Sequence, residues 1–262
     1  MRNTDYTLEW VRFKGRFPDM ELGGYLATPI NGPEKMPAVL SFDGNYGLNR
    51  PFGLEAELQP YLNAYADQLA RAGYIIFVPY VNSGLVDPWA AVIEAKSAGR
   101  RTIWNYLAPL YMSGVDYLLG LPNVDPARVT AYGISYGGVA ALVTTVVDKR
   151  VSALVYSNPL EELTLFSADP IAARSPVWQT SLCRYFDQMR SLLVAPRWFI
   201  WENGELDANQ SSEYVTQIPD RVSSIYRAIG LSTRFRLARH SGGREPSWVT
   251  VPILSSFMQV PQ

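Results

Sequence analysis

Apolar runs that are hydrophobic on both faces recur along this chain, and helical periodicity follows most of them. Residues 36–42 (Met-Pro-Ala-Val-Leu-Ser-Phe) and 74–78 (Tyr-Ile-Ile-Phe-Val) have this character, and 128–134, 151–156 and 198–201 read as further strands. A strand covered on both faces belongs to a parallel sheet, whose crossovers place helices above and below it. The intervening segments read as those helices. From Pro60 the spacing of Leu62, Tyr65, Ala66, Leu69 and Ala72 gives one apolar stripe, with Gly73 as its stop. A longer helix is expected over 97–119, with Ile103, Leu107, Tyr111, Val115 and Leu118 inward and a kink at Pro109. Further helices are expected after residue 138 and over 210–229 and 246–258. Residues 6–15 and 20–29 read as two paired strands, 82–96 as a loop, and 232–238 as the last strand. Residues 159–196 form a connection long enough to carry a lid or a substrate wall.

The 262 residues are within the range of one α/β domain, 1–262, and bury enough surface to fold without disulfides or a structural metal. The single cysteine, Cys183, agrees, since it can form no intrachain bridge and no Cys-rich zinc site. With 23 basic against 24 acidic residues and no basic run, nucleic acid is not an expected partner. No stretch reaches the roughly 18 apolar residues that span a bilayer, and the first residues lack a signal-peptide core. The expectation is a cytoplasmic protein, or a secreted one whose signal peptide has been removed, with no membrane partner.

Residues 129–138 read Val-Thr-Ala-Tyr-Gly-Ile-Ser-Tyr-Gly-Gly. The Gly-x-Ser-x-Gly pattern alone arises by chance in about one chain in ten of this length, so its context decides. A buried strand precedes it and an amphipathic helix follows, as required for a serine lifted out of a tight strand-to-helix turn. Gly133 and Gly137 let the backbone crowd around Ser135, the expected nucleophile. A serine hydroxyl needs a base, and the chain has one histidine, His240, expected in the loop after the last strand. The acid that orients it should follow the penultimate strand, where Glu202, Glu205 and Asp207 stand. Asp207 is favoured because it lies beyond the glycine turn, with Glu202 and Glu205 as alternatives. The oxyanion would be held by the backbone N–H of Tyr136 and by that of Asn45 in the loop after the third strand.

These residues resemble the α/β-hydrolase superfamily, in the branch that holds acetyl xylan esterases, dienelactone hydrolases and prolyl oligopeptidases. The resemblance rests on Gly-Ile-Ser-Tyr-Gly-Gly (133–138), on 121–130 and 70–79, and on Asn-Gly-Glu-Leu-Asp (203–207), in the order Ser, Asp, His. It implies a mostly parallel eight-stranded sheet flanked by helices and a metal-free, cofactor-free carboxylesterase acting on small to medium acyl esters, acetylated sugars among them. A peptidase or amidase, or a lactone hydrolase, would use the same residues. A non-catalytic binding protein on this fold is the alternative of another class. The chain departs from the branch in having Asp43-Gly44 where His-Gly is usual, and serine where dienelactone hydrolases have cysteine. It also has no room for the propeller of prolyl oligopeptidases.

Overall fold

A computed structural model describes residues 4–17, 21–43, 50–54, 64–80, 103–158, 192–208, 210, 212–247 and 249–259. The strands are β1 (Tyr6–Lys14), β2 (Glu21–Pro29), β3 (Met36–Phe42), β4 (Ile75–Pro79), β5 (Val124–Ile134), β6 (Ala153–Ser157), β7 (Trp198–Gly204) and β8 (Phe235–His240). They form one eight-stranded sheet in the order β1-β2-β4-β3-β5-β6-β7-β8. The pairs β1–β2 and β2–β4 are antiparallel, and from β4 to β8 every pair is parallel. The expected alternation of strand and helix therefore yields the expected sheet.

The helices are α1 (Tyr65–Arg71), α2 (Ile103–Leu119), α3 (Tyr136–Val147), α4 (Ser212–Ala228) and α5 (Thr250–Gln259). Both faces of the sheet are covered because both are apolar. Leu40, Ala131, Phe199 and Trp201 pack on the face that also receives Leu110 and Val115 of α2, Val139 and Leu142 of α3, and Val222 and Tyr226 of α4. Val39, Ile76, Tyr132 and Ile200 face the other way, against Leu69 of α1 and Leu254 and Phe257 of α5. Each such large side chain contributes roughly 1.5–3 kcal/mol on burial. Among the described residues, no helix is long and apolar enough to cross a membrane.

Gly73 ends α1 as expected. It takes a left-handed φ of +95°, while the N–H of Tyr74 returns to the carbonyl of Leu69 at 3.1 Å. Pro109 lies inside α2, as read. Several strand boundaries differ from expectation, two of them with a visible cause. β5 begins at Val124, where the Met36 N–H reaches the Asn123 carbonyl at 2.8 Å and Val124 pairs with Met36. β8 is shifted toward the C-terminus: 232–234 form a 3-10 turn, and the strand runs through His240 because the Glu205 N–H bonds the His240 carbonyl at 2.9 Å. The expected loop over 82–96 and the larger part of the expected lid, 159–191, lie outside the described residues.

Candidate active site

The chain leaves β5 at Ile134 and enters α3 at Tyr136, so Ser135 alone makes the turn. It does so at φ 58° and ψ −124°, a conformation L-residues rarely adopt, at a strain of about 1–3 kcal/mol. One buried core side chain is enough to offset that. The turn is fixed by backbone bonds, from the Ser135 N–H to the Ser157 carbonyl at 3.1 Å and from the Gly138 N–H to the Ser135 carbonyl at 3.0 Å. The two glycines are required sterically. A Cβ on Gly133 would lie 2.0 Å from the Gly137 carbonyl oxygen, and one on Gly137 would lie 2.1 Å from that of Phe42.

Tyr136 is the first residue of α3, so its N–H belongs to the helix turn that has no intrahelical acceptor, where the helix dipole favours negative charge. That is the position expected of an oxyanion donor. The second expected donor, Asn45, lies outside the described residues. Asp43, at the end of β3, is buried beside the turn, with its carbonyl oxygen 2.9 Å from where a Gly137 Cβ would be.

Two strands away, β7 ends at Gly204 and the chain turns through exposed Glu205 and Leu206 to Asp207, whose carboxylate is buried. The structure joins Asp207 to Ser135 through Arg244. The Arg244 guanidinium, 7 % exposed, places Nη1 3.3 and 3.4 Å from the two Asp207 oxygens, and Nη2 donates to Ser135 Oγ at 2.8 Å. Arg244 was not among the residues singled out from the sequence.

Among the described residues, His240 makes neither hydrogen bond that the expected Ser135–His240–Asp207 relay requires. Its Nδ1 accepts from the Gly242 N–H at 3.2 Å, and its Nε2 is buried with no hydrogen-bond partner among the described residues. The physical reason is the extra length of β8. His240 is still a strand residue, paired with Gly204, so the loop that folds back over the sheet begins after it. The residue that this loop carries to the serine is Arg244. The loop is held closely. Leu206 N–H bonds the Gly242 carbonyl at 2.9 Å, Asn158 Nδ2 the Glu245 carbonyl at 3.3 Å, and Gly243 N–H donates to Glu245 Oε1 at 2.9 Å. A Cβ on Gly204 would sit 1.7 Å from the Gly243 carbonyl oxygen.

Of the three carboxylates considered from the sequence, Glu205 is exposed and Asp207 is paired with Arg244. Glu202 is fully buried under the sheet. Its Oε1 accepts from the Ser247 N–H at 2.6 Å and its Oε2 from the Tyr132 hydroxyl at 3.3 Å. Burial raises its pKa above the usual carboxylate value, against the opposing pull of Ser157, Thr250, the Ser247 amide and the His240 charge. Tyr132 is likewise held neutral, by burial first and by Glu202 second.

Arg244 is a permanent cation, so it can stabilise negative charge on Ser135 Oγ but cannot accept its proton. Among the described residues, no group of three His, Cys, Asp or Glu side chains is arranged to hold a metal ion.

Comparison with known proteins agrees with the mostly parallel, helix-flanked sheet. The profile of the dienelactone hydrolase family matches residues 22–176, more than half of the chain. YtaP of Bacillus subtilis (strain 168), assigned as a hydrolase, is 21% identical over 235 residues, covering 84% of this chain and 76% of its own. A Bacteroides fragilis protein assigned as an acetyl xylan esterase superposes with a TM-score of 0.70 at 18% identity, over 91% of this chain and 68% of its own. The glucuronoyl esterase of Solibacter usitatus superposes with a TM-score of 0.66 at 14% identity, over 98% and 87% of the two chains. At these identities the structural likeness concerns the fold.

Proposed function

The chain belongs to the dienelactone hydrolase family of hydrolases, and from that premise we propose that it cleaves carboxylic esters of small to medium acyl groups through an acyl-enzyme on Ser135. The observation that carries this reading is the backbone of Ser135, a non-glycine residue held at φ 58° between a buried strand and a helix N-terminus. Such strain persists only where the surrounding structure enforces it, and it is concentrated at reactive centres.

In this reading Ser135 Oγ attacks the ester carbonyl, and the developing oxyanion is met by the Tyr136 N–H, with Asn45 as the second donor. The guanidinium of Arg244 remains beside the reacting oxygen and, anchored by Asp207, favours its negative form. The proton must go elsewhere. His240 is the only imidazole in the chain and is the base of this reading, reaching Ser135 after a movement of its ring. Water then releases the acyl group. Acetylated sugars are natural substrates to try first, given the esterases with which the fold is shared.

The Arg244–Ser135 contact favours a second reading, a hydrolase fold that binds a ligand without turning it over, because the group on the nucleophile is not a base. One experiment separates the two. A fluorophosphonate should label the wild-type protein and leave Ser135→Ala unlabelled, and p-nitrophenyl esters of graded chain length should be hydrolysed by wild type but not by His240→Ala. A protein that takes up no label and turns over no ester would support the binding reading. Comparing an ester with its matching anilide divides esterase from amidase.

A further inference from the structure

Three segments of the chain meet at the side chain of Asn158. This residue directly follows β6, is fully buried, and takes a φ of 38°. Its backbone N–H donates to the Glu202 carbonyl at 2.8 Å, which lays it against β7. Its Oδ1 accepts from the Gly204 N–H at 2.7 Å, at the end of β7 where the chain turns toward Asp207. Its Nδ2 donates to the Glu245 carbonyl at 3.3 Å, on the residue after Arg244, and to Ser157 Oγ at 3.4 Å. The carbonyl of Ser157, in turn, accepts from the Ser135 N–H at 3.1 Å. One dipeptide therefore reaches the Ser135 turn with its main chain and the supports of Asp207 and Arg244 with a side chain.

These contacts account for the residue type. A positive φ is uncommon outside glycine, and asparagine is one of the residues that tolerate it. The position also needs an acceptor for one neighbour and a donor for another on a short side chain, and a carboxamide supplies both. Aspartate has the same shape and tolerance, but its carboxylate has no proton for the Glu245 carbonyl. Glycine takes the φ and offers neither group. Because Gly204 N–H and the Glu245 carbonyl are main-chain groups, the amide fixes backbone rather than a rotamer. Gly204 crosses the same loop closely, since a Cβ there would sit 1.7 Å from the Gly243 carbonyl oxygen.

We propose that Asn158 is a positioning residue for the reaction at Ser135: by tying the end of β7 to the loop after β8, it sets where the Arg244 guanidinium meets Ser135 Oγ. This rests on the reading of Ser135 as the reacting group. Asn158 acts through Arg244 and not on the substrate, and a misplacement of about 1 Å in such a group slows a reaction on the order of 100-fold.

The rate of fluorophosphonate labelling at Ser135 and the urea midpoint are to be measured for wild type, Asn158→Ala, Arg244→Ala and the double variant. Asn158→Ala should slow labelling about tenfold or more. The double variant should be labelled within about twofold of the rate of Arg244→Ala, because the group through which Asn158 acts is gone. A general loosening of the fold would slow Arg244→Ala by the full factor again, and that result overturns the proposal. Asn158→Asp keeps the acceptor for Gly204 and loses the donor for Glu245, so at about pH 8 it should be labelled as slowly as Asn158→Ala. Labelling of Asn158→Asp at the wild-type rate overturns the proposal as well, and this single change decides if the double variant does not fold. Should Asn158→Ala itself not fold, Asn158→Gly replaces it, losing the same bonds without the clash of a positive φ. The esterase reading fails separately, if wild type takes no label at Ser135. The positioning role is then decided by the urea midpoints, where the double variant should shift by less than the two single shifts added together, and additive shifts overturn it.

Discussion

Arg244 Nη2 lies 2.8 Å from Ser135 Oγ, so the hydroxyl of the strained turn is held by a cation whose other nitrogen is anchored on Asp207. Both ends of this link are buried, which sets what happens when either is removed. Arg244→Ala removes the guanidinium from the buried Asp207 carboxylate, and Asp207→Asn removes the carboxylate charge from the buried guanidinium. Each should lower stability by about 3–5 kcal/mol. An Arg244→Met, Asp207→Leu double variant should be more stable than either single one, because no buried charge is left over. Urea unfolding of the four proteins measures this, and a double variant weaker than both singles would contradict it.

The backbone of Ser135 gives a prediction independent of its hydroxyl. Ser135→Ala and Ser135→Gly both delete the hydroxyl, but only glycine takes φ 58° without a clash. The glycine variant should therefore be the more stable by about 1–2 kcal/mol, read from the same denaturant curves. Equal midpoints would mean that the turn is not strained in solution.

Three glycines should respond differently to alanine. At Gly137 the new Cβ meets the Phe42 carbonyl, and at Gly204 it meets the Gly243 carbonyl, backbone atoms that cannot swing aside. Gly137→Ala should lose about 3 kcal/mol or more together with labelling of Ser135. Gly204→Ala should push away the loop that carries Arg244. Gly73 has open space around it, so Gly73→Ala should show only the penalty of its positive φ, about 1–2 kcal/mol, with labelling intact.

Asp116 gives the pH dependence. The hydrogen bond from Arg16, helped by Arg150 and opposed by partial burial, holds its pKa below the usual 3.8. A carboxyl group with a lowered folded-state value adds stability above that unfolded value and loses it as pH falls through the folded one. Wild type should therefore lose stability below about pH 4 more steeply than Asp116→Asn. Its half-exposed position keeps the difference small and sensitive to salt.

Much of this architecture could be read before any coordinates. The strands that are apolar on both faces could only lie in a helix-covered parallel sheet, and Gly133 and Gly137 announced the turn because no other residue fits so close a crossing of backbones. What escaped the sequence was the partner of Ser135. His240 was legible as the lone imidazole, but its place depended on where β8 stops, which a bond from Glu205 N–H settles and no periodicity records. Arg244 carried one available signal, a cation just after Gly242-Gly243 and four residues beyond the histidine, where a loop could return it to the sheet. Whether it did so turned on Asp207 being buried, a property of the tertiary structure.

The socket for Ser135 is built almost wholly from main chain, with Gly133, Gly137, and the carbonyls of Phe42 and Ser157 as its walls. The side chains that act on the serine arrive from a different part of the fold, on the loop after β8. Frame and reagent can thus vary independently. An Arg244→His protein would exchange the cation for an imidazole between Asp207 and an unaltered turn, changing the reagent by a single codon while the frame stays the same.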